Sequence, residues 1–100
     1  MASAQMSAAT FEGLLRERFS MDEVEAQLTE VERHETDPRI ESFSLRFLAP
    51  LPATAGQGIR RLSHPRLGDF DAFLVPVAHG EDGLVLEAVF NRIKVNGGGH

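Results

Sequence analysis

Three stretches in the second half of the chain alternate apolar with polar residues. Phe43, Leu45 and Phe47 are separated by Ser44 and Arg46. Phe70, Ala72 and Leu74 follow His64-Pro65-Arg66-Leu67-Gly68, and Leu84, Leu86, Ala88 and Phe90 follow Gly80-Glu81-Asp82-Gly83. A period of two puts successive side chains on opposite faces of a strand, and short Gly- and Pro-containing connections favour hairpins. The pattern predicts antiparallel strands over residues 40–48, 59–64, 69–78 and 84–93. The Pro- and Gly-containing stretch 50–58 breaks both helix and ladder and reads as a loop.

Two of these strands carry irregularities. Ile59 and Leu62 fall on opposite faces, which implies a bulge or burial on both sides. Pro76 cannot donate a ladder hydrogen bond, so it belongs on an edge, near a strand end or at a bulge.

The first half is less regular. Thr10 is placed to cap a short helix whose face carries Phe11, Leu14, Leu15 and Phe19. Gly13 weakens that helix by about 1 kcal/mol relative to alanine, so docking on the sheet must sustain it. Residues 22–35 fit two templates. Val24, Leu28 and Val31 have helical spacing, whereas Val24, Ala26 and Leu28 alternate as in a strand. A strand here can pair with 40–48 and extend the meander, so strand is preferred, with helix the alternative.

The expected fold is therefore α+β and β-rich: a short N-terminal helix plus about five antiparallel strands, forming a meander or a partly closed small barrel. The predicted core is Phe11, Leu14, Leu15, Phe19, Phe43, Leu45, Phe47, Leu62, Phe70, Leu74, Leu86, Ala88 and Phe90. One hundred residues fit a single domain, with residues 10–95 folded, 1–9 a flexible N-terminus and 96–100 a flexible tail.

Charge is unevenly distributed. Residues 1–42 hold ten acids and four arginines, and residues 43–100 hold five acids and six bases, within a net charge of −5. Nucleic-acid binding requires clustered cations that displace phosphate counterions, so this balance argues against it. The longest apolar run, 72–78, is too short to span a bilayer, and the N-terminus has no signal-peptide pattern. The absence of cysteine removes thiolate chemistry and disulfides. The expectation is a cytoplasmic protein without membrane or nucleic-acid partners.

Candidate chemistry is sparse. No His-Glu-x-x-His helix, nucleophile elbow or phosphate-cradling loop is present. A ligand or turn site can be assembled from Arg60, Arg61, His64, Asp69 and Asp71, because Asp69 and Asp71 share a strand face beside the His64 turn. Two carboxylates and an imidazole suit a divalent ion. Pairs of that kind are common on solvated faces, so a structural role is the simpler reading. Glu81-Asp82 is explained as a hairpin turn rather than a calcium loop. No catalytic residue, metal ligand or cofactor site is assigned.

More functional room lies on the strand containing Pro76. Phe73, Val75 and Val77 face away from Phe70, Ala72 and Leu74, so both faces are apolar. Cover from within the chain is the leading expectation for the second face, and a partner subunit the alternative.

Several segments together resemble a known group: Phe11-x-x-Leu14-x-x-x-x-Phe19, Ser42-Phe43-Ser44-Leu45-x-Phe47, His64-Pro65-x-Leu67-Gly68, Phe73-Leu74-Val75-Pro76-Val77 and Glu87-Ala88-Val89-Phe90-Asn91. The chain is similar, over roughly residues 10–92, to a family of small stand-alone bacterial domains of unknown function. Some of these sit beside phage-tail-collar-like, microcystin-dependent-type proteins. The resemblance implies a compact β-rich fold and no assigned reaction. It departs at Arg60 and Leu86, where aromatic residues are expected, and the chain has neither tyrosine nor tryptophan.

The functional expectation is a non-enzymatic interaction or assembly module, accessory to a phage-tail-like or secreted-particle system. Its contacts, with a second copy or a hetero-partner protein, would use Phe73, Val75 and Val77 or the acidic surface bearing Glu25, Glu30 and Glu32. The alternative is a small-molecule binding module with its ligand at the barrel mouth near His64 and Arg60.

Overall fold

The computed structural model describes residues 6–93. One helix, α1 (Ala8–Glu12), precedes six strands: β1 (Arg18–Met21), β2 (Val24–Asp37), β3 (Ile40–Ala49), β4 (Gly58–His64), β5 (Gly68–Gly80) and β6 (Gly83–Ile93). All neighbouring strands are antiparallel, and the order β1-β2-β3-β6-β5-β4 returns to β1, closing the sheet into a ring. The β-rich expectation holds, with six strands in place of five.

The additional strand comes from residues assigned above to the helix. Helix α1 is capped by Ser7, not Thr10, and Ser7 Oγ accepts the Thr10 N–H at 3.2 Å. It stops at Glu12, with Gly13 as its C-cap. Phe19 consequently lies on β1 and points into the ring. Ala8 is fully buried and Met6 packs on the core, so residues 6–9 belong to the folded body. The tail assigned to 96–100, and residues 1–5, lie outside the described residues.

Strand β1 turns directly into β2 at Asp22-Glu23, both with positive φ (47° and 73°). Two successive positive φ values are what a tight type I′ hairpin loop needs. Residues 22–35 are thus turn and strand, and the helical alternative is excluded. A bulge explains why helical spacing fitted. Leu28 pairs with Phe47 but Glu30 with Arg46, so Thr29 is an extra residue, and its hydroxyl bonds the Arg46 carbonyl at 3.1 Å. Inward positions shift from Ala26 and Leu28 to Val31, mimicking a helical step.

A second bulge falls where the proline required one. Pro76 pairs with Leu86 and Ala78 with Val85, leaving Val77 unmatched. Strand β4, by contrast, pairs with β5 without interruption from Gly58 to His64. The bulge or two-sided burial inferred at Ile59 is absent, because Ile59 simply points outward and is 70% exposed.

The core is phenylalanine-rich. Phe11 from α1 lies about 6 Å from the rings of Phe19, Phe43, Phe70 and Phe90 and plugs one end of the ring. Leu51 and Ala55, from the loop between β3 and β4, pack on the core as well. The predicted core residues are buried except Leu15, which is 39% exposed, and Phe90, which is partly buried. Removing this many apolar side chains from water is the main favourable term available to so small a domain.

Candidate functional site

The outward face of β4 and β5 carries an uncovered apolar row. Ile59 pairs across the ladder with Phe73, which is 52% exposed, and Val75 follows two residues along β5. Val77, at the bulge, is 44% exposed. Cover from within the chain, the expectation for Phe73, Val75 and Val77, is found among the described residues only in part, at half-buried Val75, while Phe73 and Val77 stay exposed. The helix went instead to the end of the ring, where Phe11 fills the space between aromatic rings. Ile59 was not singled out from the sequence, although its parity against Leu62 already placed it on the outer face.

The residues grouped around His64 separate onto two faces. His64 and Arg60 point inward on β4, with buried Leu62 between them. Asp69 and Asp71 point outward, where Asp69 accepts from Ser63 Oγ at 2.7 Å and Asp71 from Arg61 Nε at 2.6 Å. A site combining His64 with both aspartates is therefore ruled out by strand parity. The bond to Asp71 also raises the pKa of Arg61.

His64 is enclosed by its own contacts. Its ring centroid is 4.7 Å from that of Phe19, and its residue exposure is 5%. Nδ1 accepts the Arg66 backbone N–H at 3.0 Å. A backbone amide can only donate, so Nδ1 carries no proton and Nε2–H donates to Glu17 Oε1 at 2.8 Å. Arg66 Nη2 lies 3.5 Å from the other Glu17 oxygen. Both ring nitrogens are engaged, which suits a post that pins the β4–β5 turn to the β1 lead-in. Glu17 was not identified from the sequence, because it lies 47 residues from His64.

Arg60 reaches the other end of the ring. Its Nη2 donates to the Gly56 carbonyl at 3.2 Å, its Nη1 lies 3.7 Å from Asp22 Oδ2, and its buried Nε has no hydrogen-bond partner. Arg60 and His64 do not converge on one mouth.

A cleft of about 580 Å³ runs over β1, lined among others by Phe19, Ser20, Glu25, Ser63, His64 and Pro65. It follows from the short seam between β1 and β4, which pair only at Ser20↔Ser63 and Met21↔Leu62. Among the described residues, no three His, Cys, Asp or Glu side chains are grouped to hold a metal ion.

The acidic surface is largely neutralised by arginines from other segments. Glu25 pairs with Arg18 at 3.0 Å, and Glu30 with Arg46 at 3.4 Å. Arg46 also reaches Glu87 at 3.2 Å, and that hydrogen bond raises its pKa. Glu32 points outward beside them and is exposed. Further along, the Arg92 hydrogen bond at 2.6 Å holds Glu41 below the usual carboxylate range, helped by the Ala8 N–H at 3.3 Å. Glu12 is likewise lowered by its hydrogen bonds from Arg33. These last two carboxylates tie α1 to the sheet.

No curated protein and no solved structure matches the chain. Residues 6–90 match a family described as Domain of unknown function (DUF6916), and the chain belongs to that family.

Proposed function

We propose that this member of the DUF6916 family is a protein–protein interaction module whose contact face is the outer surface of β4 and β5. The observation that carries the reading is the exposed Ile59–Phe73 cross-strand pair, continued by half-buried Val75 and exposed Val77. Large apolar side chains left in water on a sheet face lose free energy that a partner recovers by covering them, at roughly 25 cal/mol per Å². Apolar strand positions rimmed by charged residues such as Arg61 and Asp71 match the core-and-rim pattern of protein interfaces. Among the described residues no cluster of His, Cys, Asp or Glu converges to hold a metal, and binding is the working reading over catalysis. An accessory role in a phage-tail-like or secreted particle is one setting in which such a face would be used.

The test is association measured by light scattering over a wide concentration range, alone and with candidate partners, for wild type and an Ile59→Lys/Phe73→Glu variant. The variant places a cross-strand ion pair on an exposed position, so the fold is retained. Association lost in the variant supports the reading, whereas a variant that keeps every association of the wild type overturns it.

The cleft over β1 favours a second reading, a small-molecule binding module, because 580 Å³ lies within the range of ligand pockets. Thermal stabilisation by a metabolite pool that disappears in Ser20→Trp would support it. No shift with any metabolite would count against it.

A further inference from the structure

We infer that a second copy of this chain pairs with the free edge of β6, antiparallel and centred on Asn91, to form a twofold dimer with a continuous sheet across it. Strand β6 pairs with β3 along Leu84–Ile93, but β5 and β6 are paired only from Val75↔Glu87 to Gly80↔Gly83. Residues Gly68–Leu74 of β5 pair with β4 and have no partner residue on β6. Among the described residues, no strand therefore pairs with the second side of residues 88–93. That side presents a row of backbone donors and acceptors, a template for strand addition.

Most of the usual protections are missing from this edge, and its one inward-pointing charge, Arg92, is taken up by Glu41. Residues 88–93 contain no proline, no lysine and no bulge, and Val89 and Ile93 are 57% and 73% exposed on the outer face. Protected edges carry such features to prevent pairing, so an edge with few of them fits pairing that is used.

Self-complementarity selects the occupant and the register. A twofold axis perpendicular to the sheet keeps outer faces together, so the pairing must centre on a residue of 88–93. Centring on Arg92 sets like charges opposite one another, which is unfavourable. Centring on Phe90 sets Val89 against Asn91 and Ile93 against Glu87, whose edge is already taken by Val75 of β5. Centring on Asn91 sets Val89 against Ile93 twice and Asn91 against its twin. On the inner face, Phe90 then meets Arg92, whose charge is already matched by Glu41 at 2.6 Å. Ser42 Oγ donates to Asn91 Oδ1 at 2.6 Å, which orients the amide so that its NH₂ is available to the twin.

This inference does not rest on the β4–β5 face. Because the chain has no cysteine, one introduced thiol reports the register. Asn91→Cys is expected to cross-link to its twin under mild oxidation, whereas Val89→Cys alone is not, and an equimolar mixture of Val89→Cys and Ile93→Cys is. In light scattering, wild type should reach the dimer mass, and Ile93→Lys should weaken the dimer at least tenfold while Ile59→Lys leaves it unchanged. Circular dichroism confirms that each variant is folded. A monomer at all concentrations, or Asn91→Cys cross-linking no faster than Val89→Cys, overturns the inference. A dimer disrupted by Ile59→Lys and indifferent to Ile93→Lys also overturns it, and leaves the β4–β5 reading standing.

Discussion

His64 donates from Nε2 to Glu17 at 2.8 Å while its Nδ1 accepts the Arg66 backbone N–H at 3.0 Å. The ring joins the end of β4 to the segment before β1, across the shortest seam of the sheet. Nitrogen-15 correlation spectra at neutral pH should show Nδ1 unprotonated and Nε2 protonated. His64→Ala leaves the Arg66 amide without its ring acceptor and a cavity beside Phe19, and is expected to cost about 2–3 kcal/mol in chemical denaturation. A loss below about 0.5 kcal/mol would show that the post carries no weight.

Acid should loosen the helix. Glu41 and Glu12 have folded-state pKa values below the ordinary 4.5. A depressed pKa contributes stability that is present above the unfolded value and lost as pH falls through the folded one. Denaturation midpoints should thus hold above about pH 5 and fall below about pH 4.5. Glu41→Gln should be less stable at neutral pH and lose less on acidification. A parallel pH profile for wild type and variant would exclude Glu41 as a contributor.

Phe11 is expected to be the most sensitive position on α1. It is fully buried and meets four other phenylalanine rings. Phe11→Ala should cost about 3–5 kcal/mol, and the aromatic-ring NMR signals of Phe43, Phe70 and Phe90 should broaden or shift. A Phe11→Leu variant, which keeps apolar volume, should recover part of the loss.

Two glycines with positive φ should respond differently to substitution. Gly83 has φ 131°, and a Cβ there would collide with the Ala49 carbonyl. Gly68 has φ 80° and open space around it. Gly83→Ala is therefore expected to cost about 3 kcal/mol or more, and Gly68→Asn about 1 kcal/mol or less. Similar melting temperatures for the two variants would contradict this.

Legibility in the sequence followed local pattern. Strands β3, β5 and β6 could be read because Phe43–Phe47, Phe70–Leu74 and Leu84–Phe90 keep strict alternation, and Pro76 announced its bulge. Strand β1 was hidden because Asp22-Glu23 takes positive φ without the Gly or Asn that usually signals such a turn, and because Phe19 continues the spacing of Phe11 and Leu15. Strand β2 was ambiguous because the Thr29 bulge shifts its inward set by one. At the candidate sites, parity within β4 marked Ile59 as outward, but His64 was grouped with Asp69 and Asp71 because the register across the turn, Ser63 opposite Asp69, is set only by the folded hairpin. Glu17 could not be found that way, since nothing local links it to His64.

The sequence by itself determined that the chain is β-rich, where its regular strands lie, and which of their side chains face the core. A half-buried strand writes that information into neighbouring residues, because its two faces meet different solvents. Tertiary structure decided that the sheet closes into a ring, that α1 plugs one end, and that β5 pairs with β6 only from Val75 onward. It also decided that Ile59, Phe73, Val89 and Ile93 stay uncovered. Whether an outward apolar side chain meets water depends on which distant element crosses it, and that is a property of the assembled chain, not of its neighbours in sequence.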